Sequence, residues 1–157
     1  MEPTFVMTPI GIIHSPHRSK ESCPVQPGAA AGVQGEVELF PEFAEGLKDV
    51  ELFTHIHLLY AFDRAGETRL LVQPFLDDAW RGVYATRHPC RPNGIGMSVV
   101  ALRGRDGRRL LVEGIDVLDG TPLLDIKPYV PLFDTVAAAG SGWLAGKSWR
   151  AKPAGRE

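Results

Sequence analysis

Asp125, Lys127 and Tyr129 recur at a spacing of two within Thr-Pro-Leu-Leu-Asp-Ile-Lys-Pro-Tyr. In an extended strand that spacing puts an acid, an amine and a phenol on one face and Leu124 and Ile126 on the other. A polar face backed by an apolar one is a reasonable way to line a pocket, although spacing alone assigns no general base. A second stretch, Ala85–Ser98, reads Ala-Thr-Arg-His-Pro-Cys-Arg-Pro-Asn-Gly-Ile-Gly-Met-Ser. Pro89 and Pro92 fix their own φ and push His88 and Arg91 toward extended conformations, whereas Gly94 and Gly96 admit conformations that other residues resist. Arg87 and Arg91 therefore sit in a stiff frame from which a guanidinium can be aimed at a carboxylate or phosphate. A rigid connector with solvated arginines is the other reading of the same residues.

The elements that must hold these stretches are short. Phe5–His14 predicts a strand with apolar Ile10, Ile12 and Ile13, ending at Ser15-Pro16. Ser15–Gly35 follows as a long Pro- and Gly-rich loop whose stiffest part is Pro24–Gly28, which suits a ligand-covering loop. Glu36–Phe40 alternates as a half-exposed strand, and Pro41 opens a helix with Phe43, Leu47 and Val50 on its buried face. Leu52–Phe62 is a nearly continuous apolar run of the kind found in a buried central strand. Asp63-Arg64 then begin a turn, where they face a pocket or form a surface pair. Arg69–Val72, Gly82–Thr86, Ser98–Leu102 and Leu110–Ile115 predict further strands, the last two joined by a hairpin centred on Asp106-Gly107. Four arginines at that tip, Arg103, Arg105, Arg108 and Arg109, are either a solvated edge or the one compact cluster available for phosphate contacts. The tail from Ala137, with Trp143, Lys147, Trp149, Arg150 and Lys152, reads as basic and partly ordered.

With 157 residues and a formal charge of −2, the chain fits one globular domain without global attraction to nucleic acid. Two cysteines make no disulfide framework, and no signal peptide or membrane span is legible, so the expected location is cytoplasmic. His55 and His57, with His88 and Cys90, lack the tight spacing of a metal site and read better as core histidines, so no metal is expected. Gly94-Ile-Gly96 has neither a third glycine nor a strand-to-helix setting, and phosphate-loop and nucleophile-elbow signatures are missing. The expected fold is mainly β: a small β-barrel with one short helix and long loops over residues 1–136, followed by a tail over 137–157.

Thr86-Arg87, Arg91–Ser98 and Asp119–Tyr129 together closely resemble the TsaA-like, TrmO-type family of S-adenosylmethionine-dependent β-barrel tRNA (adenine-N6)-methyltransferases. Ile10–Pro16, Gln26-Pro27-Gly28 and the strand ending at Phe62 match it too, so the resemblance covers roughly residues 8–134. It implies S-adenosylmethionine as cofactor, methylation of N6 of threonylcarbamoyladenosine beside the tRNA anticodon, and a homodimer with the cofactor near the subunit interface. Carried over by position, it implies cofactor contacts from Gln26, Pro27 and Gly28, from Asp63 and Arg64, from Arg87 and Met97, and from Asp119, Gly120, Thr121 and Pro122. Asp125, Lys127 and Tyr129 would steer the target base or its proton and are the expected catalytic residues. Two features depart from the resemblance: the chain ends soon after the barrel, where many bacterial relatives carry a further domain, and Asp63-Arg64 stand where some relatives have a histidine-glutamine pair. Methylation of another substrate on the same scaffold, or cofactor sensing without turnover, are the alternatives.

Overall fold

The computed structural model describes residues 1–24, 30–150 and 152–153. Its strands are β1 (Gly11–His14), β2 (Gln34–Leu39), β3 (His55–Ala61), β4 (Leu71–Val72), β5 (Arg81–Gly82), β6 (Ile95–Asp106), β7 (Arg109–Glu113) and β8 (Thr121–Pro128). Six of them close into an antiparallel barrel in the order β1-β2-β7-β6-β3-β8, and β8 returns to β1 through pairs such as Ile13 with Thr121. Closure leaves the barrel itself without a free edge, which a sheet of short strands cannot otherwise cover. Strands β4 and β5 form a separate ribbon in the excursion between β3 and β6.

Period-two alternation fills the barrel. Val37 and Leu39, Ile56, Leu58 and Tyr60, Val100, Leu110 and Val112, and Leu123 point inward, and Leu47, Ile115 and Val117 complete the core. Truncating the fully buried Leu58 to alanine would cost about 3 kcal/mol. Gly96 faces Tyr60 across the β3–β6 pair, and a Cβ there would overlap the tyrosine ring. The glycine thus lets an aromatic ring lie across the barrel mouth.

Several local expectations change. The first strand is only Gly11–His14, with Phe5, Val6 and Met7 exposed, because Pro9 cannot donate to a ladder and pairing begins beyond it. Pro41–Leu47 is a 3-10 helix, not an α-helix; of its residues Leu47 alone is buried, and Asp49 at φ 71° starts a separate short turn holding Val50. The central strand spans His55–Ala61 and its histidines face outward, since Ile56, Leu58 and Tyr60 take the interior; they are not core residues. Val83–Ala85 is a 3-10 turn rather than part of a strand. Among the described residues no group of three or more His, Cys, Asp or Glu is placed to hold a metal, and no helix is long and apolar enough to cross a membrane.

The β6–β7 hairpin turns at Asp106-Gly107 as expected, with Gly107 at φ 59°. Its arginines do not form an open phosphate patch, because each meets a carboxylate. Arg103 pairs with Glu113 at 2.9 Å, Arg105 with Glu51 at 3.3 Å, Arg108 with Glu38 at 2.8 Å and Arg109 with Glu36 at 2.6 Å. Beyond the barrel, Trp143 Nε1 donates to the Ala85 carbonyl at 2.7 Å, and the Arg81 guanidinium stacks 5.3 Å from the Trp143 ring. Arg150 donates to the Phe75 carbonyl at 2.6 Å, and Trp149 packs on Phe75 at 5.7 Å. The tail residues therefore strap the β4–β5 excursion.

Candidate functional site

A cavity of about 870 Å³ opens at the end of the barrel where β3 ends and β6 begins. Its walls come from the loop after β1, the Asp63-Arg64 turn, the 83–91 loop, the β7–β8 connection and the tail. Phe62, Phe75, Ile95, Leu118 and Trp149 supply apolar surface. Among the described residues Lys20, Arg64, Arg87, Arg91, Lys147 and Lys152 line it against two acids, Asp63 and Asp116, so its walls suit a ligand that carries an anionic group.

The stiff loop is built by hydrogen bonds within itself. Thr86 Oγ1 donates to the Val83 carbonyl at 2.8 Å and accepts from the His88 amide at 3.2 Å. Arg91 Nη1 donates to the carbonyls of Thr86 at 3.0 Å and His88 at 3.2 Å, so this arginine organises the loop instead of reaching for a ligand. Arg87 is exposed and lines the cavity. Arg64 bridges two walls: Nη2 donates to Thr121 Oγ1 at 3.1 Å and Nε to Asp63 Oδ1 at 3.3 Å.

Asp119, Gly120 and Pro122 sit beside the cavity without lining it. Leu118–Thr121 is a tight turn in which Gly120, at φ 80°, occupies the position that requires a left-handed residue. Asp119 accepts from the Ser15 amide at 3.0 Å and from Arg18 Nη1 at 2.9 Å, which ties the loop after β1 to the β7–β8 connection. Pro122 pairs with Ile12, while Thr121 faces the cavity. Met97 lies on its rim, and Gln26, Pro27 and Gly28 fall outside the described residues.

Asp125, Lys127 and Tyr129 share one face as spaced, but it is the outer face of the barrel and does not line this cavity. A bulge between the Leu59 and Tyr60 pairings shifts β8 by one residue, so Ile126 packs toward the core and Asp125 and Lys127 lie opposite Leu59 and His57. Lys127 Nζ is 3.2 Å from Asp125, and the Tyr129 ring packs on His57 at 5.4 Å. A smaller groove there, lined by His57, Leu59, Met97, Lys127 and Phe133 among others, meets the cavity at Met97.

Sequence reasoning missed the cavity's polar floor. Ser98 Oγ donates to Asp116 Oδ1 at 2.5 Å and shares a 2.9 Å hydrogen bond with the Tyr60 hydroxyl. Burial pushes the Asp116 carboxyl up to about 6, against the opposing pull of Ser98 and the Arg87 charge. Burial and the nearby Asp116 charge push the Tyr60 phenol well above its ordinary range, and the same two causes push the Cys23 thiol up to about 11. Cys23 donates to the Asp116 carbonyl at 2.9 Å, so it is a poor nucleophile. The available signals were a charged residue inside Ile115-Asp116-Val117 and a serine at the inward position between Gly96 and Val100.

The family model described as the tRNA-methyltransferase O N-terminal domain matches residues 12–135. The chain belongs to this family. Similar proteins extend the comparison. A Pyrococcus abyssi protein named "Probable S-adenosyl-L-methionine-binding protein" is 55% identical over 136 residues, covering 87% of this chain and 74% of that one. The tRNA (adenine(37)-N6)-methyltransferase of Escherichia coli is 35% identical over 150 residues, covering 89% of this chain and 64% of the enzyme. A crystal structure of TrmO superposes with a TM-score of 0.76 at 46% identity, covering 89% of this chain and 64% of that one. The chain thus spans just under two thirds of the latter two proteins. The TrmO match takes in every cavity wall except the tail from Trp143 onward.

Proposed function

We propose that this chain is a methyltransferase barrel that binds S-adenosylmethionine in the 870 Å³ cavity and methylates N6 of threonylcarbamoyladenosine beside the anticodon of tRNA. The observation that carries the reading is the TrmO-family match to the segments that build the cavity. The donor set fits the cofactor: Arg64 and Arg87 suit its carboxylate, and Phe62, Phe75 and Ile95 suit its adenine. When bound, the cofactor supplies a methyl group on a positively charged sulfur. The chain's own contribution is to orient the two reactants in line and exclude water, which provides most of the acceleration in a displacement of this kind.

Support for the tRNA substrate comes from the name of the Escherichia coli relative and from the excess of lysine and arginine around the cavity. A splayed anticodon-loop base suits a small cavity that cannot read a duplex. Lys127 lines the groove that meets the cavity at Met97, Asp125 pairs with it at 3.2 Å and Tyr129 packs on His57 of the same groove, where the three would steer the target base. Exposed Leu132, Phe133 and Val136 beside that groove give a second copy of the chain an apolar face to cover, in keeping with a homodimer. Such an enzyme works in the cytoplasm, with its tRNA.

The test is purified protein, methyl-labelled cofactor, and tRNA with or without the threonylcarbamoyl group. Labelling of the modified tRNA alone supports the reading. Equal labelling of both tRNAs refutes the recognition step. Cofactor binding with labelling of neither points to another methyl acceptor or to a binding protein, the term used for the Pyrococcus relative.

A further inference from the structure

Asp116 is the acid the reaction outlined above leaves without a task. It lines the cavity, is only 9% exposed, and among the described residues has no cationic side chain at ion-pair distance. The other acid that lines the cavity among the described residues, Asp63, is engaged by Arg64 at 3.3 Å. Asp116 is held in place from three sides: Ser98 on β6 bonds its carboxylate, Tyr60 on β3 bonds Ser98, and Cys23 bonds its carbonyl. A buried carboxylate so fixed, which the Arg87 charge acts on only from beyond ion-pair distance, is costly to keep ionised and is matched to a ligand that brings a positive charge. Neither adenine nor a carboxylate has one.

We propose that Asp116 is the counter-charge for the sulfonium of the bound cofactor, and that it makes the cavity prefer the methylated, cationic form over the demethylated, neutral thioether. The inference rests on the cofactor assignment above. Both ligands keep the same adenosyl, carboxylate and ammonium groups, so the difference in their affinities isolates the charge on sulfur. Protonation of Asp116 removes that difference, so the preference holds above about pH 6 and fades below it. The side chains that act on this titration are Ser98 and Arg87, while Tyr60 and Cys23 face the carboxyl and are themselves shifted by its charge, and Asp63, Arg64 and Lys152 line the same cavity.

Isothermal calorimetry with S-adenosylmethionine and S-adenosylhomocysteine, on the wild-type chain and Asp116→Asn, tests this without any turnover. Near pH 7.5 the substitution should weaken the cationic ligand about 30-fold or more and the thioether less than about threefold. In the wild type the ratio of the two affinities should rise about tenfold from pH 5 to 7.5, and in Asp116→Asn it should stay flat. Equal losses for both ligands would overturn the proposal, because Asp116 would then serve the shared ammonium or only the cavity's shape. No loss for either ligand overturns it as well. If the variant fails to give a cooperative melt, the wild-type pH series decides alone, and a flat ratio sinks the idea. Failure of the wild type to bind S-adenosylmethionine at all would instead bring down the cofactor assignment.

Discussion

Asp116→Asn should change how the stability of the ligand-free protein depends on pH. The Asp116 carboxyl titrates near 3.8 when solvated and near 6 in the folded chain. Between those values the folded state holds a proton that the unfolded state has released, so wild-type stability declines as pH rises through this window. Above about pH 6 the charged carboxylate is buried and the full penalty is present. Integrating the linkage between about pH 4.5 and 7.5 gives a loss of about 2 kcal/mol from this one group. Asparagine cannot titrate, so that portion of the slope disappears. Urea melts at both pH values measure it: the stability of the variant relative to wild type should be about 2 kcal/mol more favourable at the higher pH, equivalent to about 4–8 °C in Tm. The amide's own hydrogen bonds contribute equally at both pH values and cancel in the comparison. Parallel pH profiles for the two proteins would refute the assignment of a raised Asp116 titration.

Gly96→Ala should destabilise the barrel by about 2 kcal/mol or more, because its Cβ overlaps the Tyr60 ring, whereas Gly104→Ala meets only Leu111 Cδ1 at 3.8 Å and should be near neutral in the same melt. Arg87→Ala should weaken S-adenosylmethionine binding by about 2 kcal/mol or more, and Arg87→Lys should recover only part of it because the fork is lost, as read by calorimetry. Cys23, pushed up to about 11, should alkylate near pH 8 about 100-fold more slowly than a peptide thiol, measured by mass spectrometry of the peptide. Replacing Arg108 and Arg109 with alanine should lower the melting temperature slightly, an effect suppressed by salt, because both arginines hold Glu38. His14, Arg109 and Arg108 keep that carboxyl below its ordinary range, so its stabilisation is present above about pH 4.5 and fades as pH falls below it.

The barrel was legible in the sequence because its strands depend on local chemistry. Alternation through Glu36–Phe40, the apolar run ending at Phe62 and the Asp106-Gly107 turn are written in neighbouring residues, and each reappears within a few positions of its expected bounds. The stiff loop was legible for the same reason as far as Gly94, since proline acts on its own backbone and on the residue before it, but Ile95–Ser98, expected within that loop, are the start of β6. Which side of a strand faces a cavity is not local. Asp125, Lys127 and Tyr129 share a face by spacing, but closure of the barrel and the bulge in β8 turn that face outward. The hairpin arginines look like a basic patch in sequence, and the β6–β7 and β2–β7 pairings together with the approach of Glu51 give them carboxylates. Asp116 carries no motif at all. Its burial, its bond to a serine 18 residues away and its place on the cavity floor arise when β3, β6 and the β7–β8 connection converge, and a shift of acidity by burial exists only in the folded chain.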